Sequence, residues 1–178
     1  CVLQLQQLGT AHAVMQCRET LHNFNGNILI LYGDVPLITV ETLAKLISLH
    51  DEQDSLGTIL TADLSDPKGY GRVIRDENGN LSKIVEEKDA TEGERAVQEI
   101  NSGIYVFKSW TLFNLLPMVG NNNSQKEYYL PDVLNLILEK NEKVAIEKIN
   151  NSFEIQGVNN PEQLKEMNDY YEKNSIHI

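Results

Sequence analysis

The sequence predicts an α/β domain built on a mixed sheet, and three features carry that expectation. Ile28-Leu29-Ile30-Leu31 is an apolar run without alternation, the pattern of a strand buried on both faces of a parallel sheet. Residues 72–75 and 81–86 flank Asn78-Gly79, which supplies the positive φ angles of an antiparallel hairpin. Leu130, Val133, Leu134, Ile137 and Leu138 recur at helical spacing and predict an amphipathic helix, with Pro131 suited to its first turn.

The remaining elements follow in order. Val2-Leu3-Gln4 reads as the end of a strand. Gly9-Thr10 leads into a helix through about Arg18, with Thr10 as N-cap. A strand over 27–32 ends at Gly33-Asp34, and Pro36 forbids its continuation. Thr39 caps a helix whose apolar face is Val40, Leu43, Leu46 and Ile47. Residues 57–62 form a strand. Residues 87–97 are a charged loop or short helix. Residues 100–107 return to strand, interrupted at Ser102-Gly103, and 109–117 are helical. Val144-Ala145-Ile146 is a late strand, residues 154–160 a short strand end and turn. A last helix from about Pro161 turns Leu164, Met167 and Tyr171 inward.

The 178 residues suffice for one domain with a full core. No apolar run approaches the ~20 residues that span a bilayer. The net charge of −11 argues against a nucleic-acid surface, which needs a basic stripe. It also opposes a phosphate-bearing ligand, so a local cation and backbone N–H groups must supply the attraction. Cys1 and Cys17 form no spaced framework, consistent with a reduced, cytoplasmic setting.

Several polar residues fall at strand ends or helix starts, where α/β sheets bind ligands. Asp34 reads either as a turn cap or as a ligand for a hard cation. Gly9-Thr10 is either a plain N-cap or a place where helix N–H groups face a ligand. Gly69-Tyr70-Gly71-Arg72 is a glycine-flanked turn entering a strand. Glu86 ends a half-buried strand and either accepts from sugar hydroxyls or is solvated. Asn101 sits inside an apolar strand, where a buried amide must find partners. Asn159 and Asn160 follow Gly157-Val158 and also suit an Asx turn capping the last helix.

Taken together, Gln4…Gly9-Thr10-Ala11-His12, Tyr32-Gly33-Asp34-Val35-Pro36-Leu37, Gly69-Tyr70-Gly71-Arg72, Val85-Glu86-Glu87-Lys88-Asp89-Ala90, Glu99-Ile100-Asn101-Ser102-Gly103 and Gly157-Val158-Asn159-Asn160 resemble one family over nearly the whole chain. It is the uridylyltransferase (pyrophosphorylase) domain of the bacterial bifunctional UDP-N-acetylglucosamine pyrophosphorylase / glucosamine-1-phosphate N-acetyltransferase. The resemblance implies a Rossmann-like nucleotide-diphospho-sugar transferase fold, a mixed sheet flanked by helices. It implies formation of UDP-N-acetylglucosamine and pyrophosphate from UTP and N-acetylglucosamine 1-phosphate, with Mg²⁺, for peptidoglycan and lipopolysaccharide synthesis. By resemblance, Gln4 and the Gly9-Thr10 backbone read uracil, and Tyr32, Gly33 and Asp34 lie along ribose and phosphates. Asp34 and Asn159 bind Mg²⁺, and Gly71, Glu86, Asn101 and Asn159 hold the sugar. Alignment and charge neutralisation suffice for this reaction, so no general base is assigned.

The sequence departs from the family in ways that set further expectations. No Gly-x-Gly-Thr-Arg segment, the family's phosphate-cradling loop, occurs in these residues. The chain therefore reads as a partial uridylyltransferase domain over 1–178, with the first βα units and the acetyltransferase β-helix missing. Weak or no activity follows, with an exposed sheet edge and a monomer where the parent family forms a homotrimer. Pro131 stands where the family usually has a hydroxyl residue. Two other functions stay open at this point: transfer to another sugar 1-phosphate, and a non-catalytic UDP-sugar-binding or scaffold role.

Overall fold

The computed structural model describes residues 1–158 and 160–174. Twelve elements follow one another: α1 (Thr10–Met15), β1 (Asn27–Ile30), α2 (Val40–Glu52), β2 (Gly57–Asp63), β3 (Arg72–Arg75), β4 (Leu81–Val85), α3 (Glu92–Arg95), β5 (Glu99–Lys108), α4 (Ser109–Leu115), α5 (Asp132–Glu139), β6 (Val144–Ile149) and α6 (Pro161–Asn174). The strands form one mixed sheet in the order β4-β3-β5-β2-β6, with β1 also paired to β5. Only β2 and β6 run parallel; the other pairs are antiparallel.

The strands buried on both faces are β2 and β5, not the 28–31 run. Side chains alternate across a strand, and here the alternation feeds two cores. Ile59, Tyr105 and Phe107 pack with Leu112 of α4 and with Leu134 and Ile137 of α5. Leu60, Ile104 and Val106 pack on the other face with Leu46 of α2. Each fully buried aliphatic side chain contributes roughly 1.5–3 kcal/mol. By contrast β1 covers only 27–30, pairs with β5 alone and is partly exposed. An apolar run signals burial, but the orientation and number of its neighbours are tertiary facts.

Other expectations are corrected in the same way. Residues 2–4 form no strand; they pair with nothing and Leu3 is exposed. Gly9, at φ +111°, is the N-cap of α1, and Thr10 is its first helical residue. The Thr10 hydroxyl instead accepts from Leu130 N at 2.9 Å. Thr39 does cap α2, accepting from Thr42 N at 3.1 Å. Val40, however, is 84% exposed, while Thr42 in the same turn is buried, so the docked face of α2 excludes Val40. Pro131 occupies the N-cap position of α5. Residues 152–155 make a short 3₁₀ turn, not a strand, and bury Ile155. On α6 the docked face is Met167 with Tyr170, which stacks on Phe153 at 4.3 Å. Leu164 and Tyr171 lie on the exposed side; helical periodicity gave the stripe but not its rotation.

One feature of the sheet places the site. The inner edge of β5 serves two strands in turn: β1 from Tyr105 to Lys108, and β3 at Ile100. Between them no strand pairs on that side of residues 101–104. There β5 bulges instead of breaking. Opposite β2, Ile59 pairs with Tyr105 and Thr61 with Asn101, so a single residue faces three. The Ser102 hydroxyl fills the lost ladder by donating to Leu60 O at 2.6 Å, and it accepts from Ile104 N at 3.1 Å. Gly103 takes φ +80°, and a Cβ there would collide with the Tyr32 ring. Bulges of this kind re-aim side chains beside sites.

Candidate active site

A cleft of about 430 Å³ opens over this gap in the sheet. The C-terminal end of β1 brings Tyr32 and Asp34 to one side. The entry to β3 and the end of β4 bring Gly71 and Glu86 to the other. Asn101 lies on the floor, and Thr10 from α1 completes the wall beside Tyr32. Six of the ten residues singled out in the sequence therefore line one cavity. Gln4, Gly9 and Gly33 are not among its lining residues. Gln4 Nε2 lies 3.0 Å from His12 Nδ1 and donates to Gly9 O at 3.4 Å. Gly9 is pressed against the Tyr128 backbone, where a Cβ has no room. Gly33 has open space where a Cβ would sit. Asn159 lies outside the described residues. Its neighbour Val158 donates from its N–H to Asp34 O at 2.9 Å, so the chain just before it runs beside the end of β1.

The polar atoms facing the cleft have defined unmet capacity. Asn101 Oδ1 accepts from Gly103 N at 3.0 Å and from the Tyr105 hydroxyl at 2.8 Å. The backbone donor fixes the amide orientation, and Nδ2 has no protein partner among the described residues. Asn101 N donates to Gly71 O at 2.9 Å, binding floor to wall. The half-buried Glu86 carboxylate accepts no hydrogen bond from the described residues. Its Oε1 would lie 3.2 Å from a Cβ on Gly71, so glycine at 71 keeps the approach to the carboxylate open. Burial, reinforced by Asp132, Asp89 and Glu127, pushes the Glu86 carboxyl up to about 7; Arg72 acts against that rise. Burial likewise pushes the Tyr32 phenol up to about 12, so it remains a donor at neutral pH.

Charge around the cleft is lopsided. Asp34, Glu86 and Glu127 line it, against Lys68 as the single lining cation among the described residues. Arg72, next to Gly71, is 2% exposed and spends its guanidinium on the Tyr70 and Arg95 carbonyls. A phosphate entering here needs a cation brought with it. Asp34 is exposed and its carboxylate has no hydrogen-bond or ion-pair partner among the described residues. One free carboxylate oxygen suits Mg²⁺, which keeps several waters and takes the rest of its shell from substrate phosphates. No group of three or more His, Cys, Asp or Glu side chains placed to hold a metal occurs among the described residues.

Three residues of the cleft carry no site role in the sequence reading, although Tyr129 stands in the Asn121-Asn122-Asn123…Glu127-Tyr128-Tyr129 segment that also resembles the family. Gln125 and Tyr129 reach the cleft from the loop before α5, and Gln125 Nε2 donates to the Tyr129 hydroxyl at 2.8 Å. Gln163 reaches it from the first turn of α6. Gln125 lies in a polar loop and Gln163 on a polar helix face, so no periodicity or spacing marks either.

The chain matches the nucleotidyl transferase family model over residues 1–173. It is 50% identical to the bifunctional protein GlmU of Alkaliphilus metalliredigens strain QYMF, over 98% of this chain and 38% of that protein. To the bifunctional protein GlmU of Staphylococcus carnosus strain TM300 it is 45% identical, over 97% of this chain and 40% of that one. It thus spans about two fifths of the length of these relatives. A crystal structure of UDP-glucose pyrophosphorylase complexed with UDP-glucose superposes with a TM-score of 0.69 at 15% identity, over 96% of this chain and 64% of that one. That likeness is one of fold. With the family model covering almost every residue, the chain belongs to the nucleotidyl transferase family.

Proposed function

We propose that this chain is the uridylyltransferase portion of an enzyme joining UTP and N-acetylglucosamine 1-phosphate into UDP-N-acetylglucosamine and pyrophosphate. The observation that carries this reading is the cleft at the gap in β5. A free amide donor (Asn101 Nδ2) and an unpartnered carboxylate (Glu86) face its sugar side, and a free carboxylate (Asp34) faces its nucleotide side. The 45–50% identity to GlmU proteins supports the choice of substrates.

In the reaction a phosphate oxygen of the sugar phosphate bonds to the α-phosphorus of UTP, and the bond to the departing pyrophosphate breaks. Catalysis is a matter of alignment and charge neutralisation. Asp34, with Asn159, would hold a magnesium ion, which supplies positive charge to the phosphates. Asn101 Nδ2 donates to the acetamido carbonyl or a ring hydroxyl. Glu86 accepts from hydroxyls that pass close over Gly71. The Tyr32 ring closes over Gly103 and separates the two halves of the ligand.

Calorimetric titration of the chain with UDP-N-acetylglucosamine tests the reading, with UDP-glucose and UMP as comparisons. Magnesium-dependent heat that is largest for UDP-N-acetylglucosamine is expected. Equal heats for both UDP-sugars would overturn the sugar assignment, and no heat at millimolar ligand would favour a scaffold role. In a pyrophosphate-release assay with UTP and competing sugar 1-phosphates, any turnover is expected to favour N-acetylglucosamine 1-phosphate.

A further inference from the structure

Strand β4 is an edge of the sheet, and its outer side should present unpaired backbone groups. At Ile84 it does not. Asn135 of α5 accepts from Ile84 N at 2.9 Å and donates from Nδ2 to Ile84 O at 3.0 Å. One side-chain amide thus takes the place of a neighbouring strand's peptide group. The second Nδ2 hydrogen goes to Asp132 Oδ1 at 3.2 Å, so both amide donors are used. Ile84 lies two residues before Glu86. Asp132 is the foremost of the carboxylates acting on Glu86. The same side chain therefore fixes both the backbone leading to Glu86 and the orientation of the charge behind it.

We propose that Asn135 is a positioning residue for Glu86, pinning the end of β4 to α5 and holding the Asp132 carboxylate behind the cleft wall. Its bearing on sugar binding rests on the reading of Glu86 proposed above; its hold on Glu86 does not. The charged groups facing Glu86 are Asp132 from α5, Asp89 from the turn after β4, Glu127 from the loop before α5, and Arg72 from β3. Asn135 touches only the first of these, which makes its effect separable.

The test is carbon-13 NMR titration of Glu86 in the chain and in Asn135→Ala and Asn135→Asp, together with amide exchange at Ile84. Asn135→Ala admits water behind Glu86. It also removes the bond that helps keep Asp132 ionised. Both changes lower the Glu86 midpoint, by roughly half a unit or more. Asn135→Asp adds another negative charge facing the same wall and raises the midpoint. In Asn135→Ala the Ile84 amide loses its acceptor and its exchange speeds up, at least about tenfold, whereas in Asn135→Asp a carboxylate oxygen still accepts from Ile84 N and only the Ile84 carbonyl loses its donor. A merely structural Asn135 would lower the melting temperature of both variants and leave the Glu86 midpoint in place. Midpoints within roughly 0.2 units of the parent in both variants, with Ile84 still protected in Asn135→Ala, would overturn the proposal. Adding UDP-N-acetylglucosamine to the parent isolates the other question. If the ligand leaves the Glu86 titration unmoved, the sugar-binding role fails and the positioning role stands.

Discussion

The two walls of the cleft are built to different standards. One wall is made of β3, β4 and the first half of β5, and every layer of it is tied. Arg75 and Glu99 form a two-pronged ion pair at 2.7 and 2.6 Å, Thr61 donates to the same carboxylate at 2.7 Å, and Asn135 clamps β4 from outside. The other wall rests on the four residues of β1, paired to one strand among the described residues, and on a six-residue helix whose cap is a glycine backbone. The β3–β4 side is thus preorganised by hydrogen-bonded sheet, whereas the β1 side has fewer ties. Preorganisation lowers what a ligand must spend on ordering its site, so the β3–β4 side is the rigid one and the β1 side the adaptable one.

The comparison breaks most sharply where the walls meet, at Gly103. A side chain there must adopt φ +80° and displace the Tyr32 ring. Gly103→Val is expected to lose about 3–4 kcal/mol of stability in denaturant unfolding. A loss below ~1 kcal/mol would mean the walls are not in contact. Asp34→Asn probes the adaptable side alone. It removes a free, exposed carboxylate, so stability should stay within about 0.5 kcal/mol. Magnesium-dependent ligand binding or turnover should fall by about 100-fold; unaltered magnesium dependence would remove Asp34 from the metal site.

Glu86 sharpens the comparison through pH. Its carboxyl is raised to about 7 in the folded chain from an ordinary value of 4.5. A raised acid adds stability below its unfolded value, and that stability is lost as pH climbs through the folded one. The chain should therefore lose about 2 kcal/mol from this group between pH 4.5 and 8, after allowance for its partial exposure. In Glu86→Gln that loss should vanish, so urea unfolding of the two proteins at pH 5 and pH 8 should converge at the acid end and part at the basic end. Parallel curves at both pH values would contradict the buried placement of Glu86. The smallest effect is expected at Thr39, whose hydroxyl caps α2 and also donates to Glu154 at 2.9 Å. Thr39→Ala should lower stability by about 1 kcal/mol and leave ligand affinity unchanged, as measured by unfolding and calorimetry side by side.

Element type was legible wherever a short-range rule applied. Gly79, at φ +83°, turns its hairpin, although Asn78 does not share the positive φ expected of the pair; Thr39 fixes its helix cap and the Leu130–Leu138 stripe its amphipathic helix, because each depends on neighbours within a few residues. Asp34, Gly71, Glu86 and Asn101 stand out as candidates because glycines, carboxylates and amides at strand ends suit ligands in α/β sheets, and the structure gathers them with Thr10 and Tyr32 around one cavity. The sequence could not say that Ile28-Leu29-Ile30 has a single strand neighbour, or that Ser102-Gly103 bulges where it reads as a break. Nor could it say that α6 turns Met167 and Tyr170 inward. The first two outcomes depend on partners more than forty residues away, Leu60 for Ser102 and residues 105–108 for β1, and the third on Phe153 outside the helix. Local composition determined which segments fold as strand or helix and which polar atoms are available for chemistry. Only the tertiary structure decided that β5 divides its edge between β1 and β3, because a strand's hydrogen-bonding partners are chosen by the whole sheet.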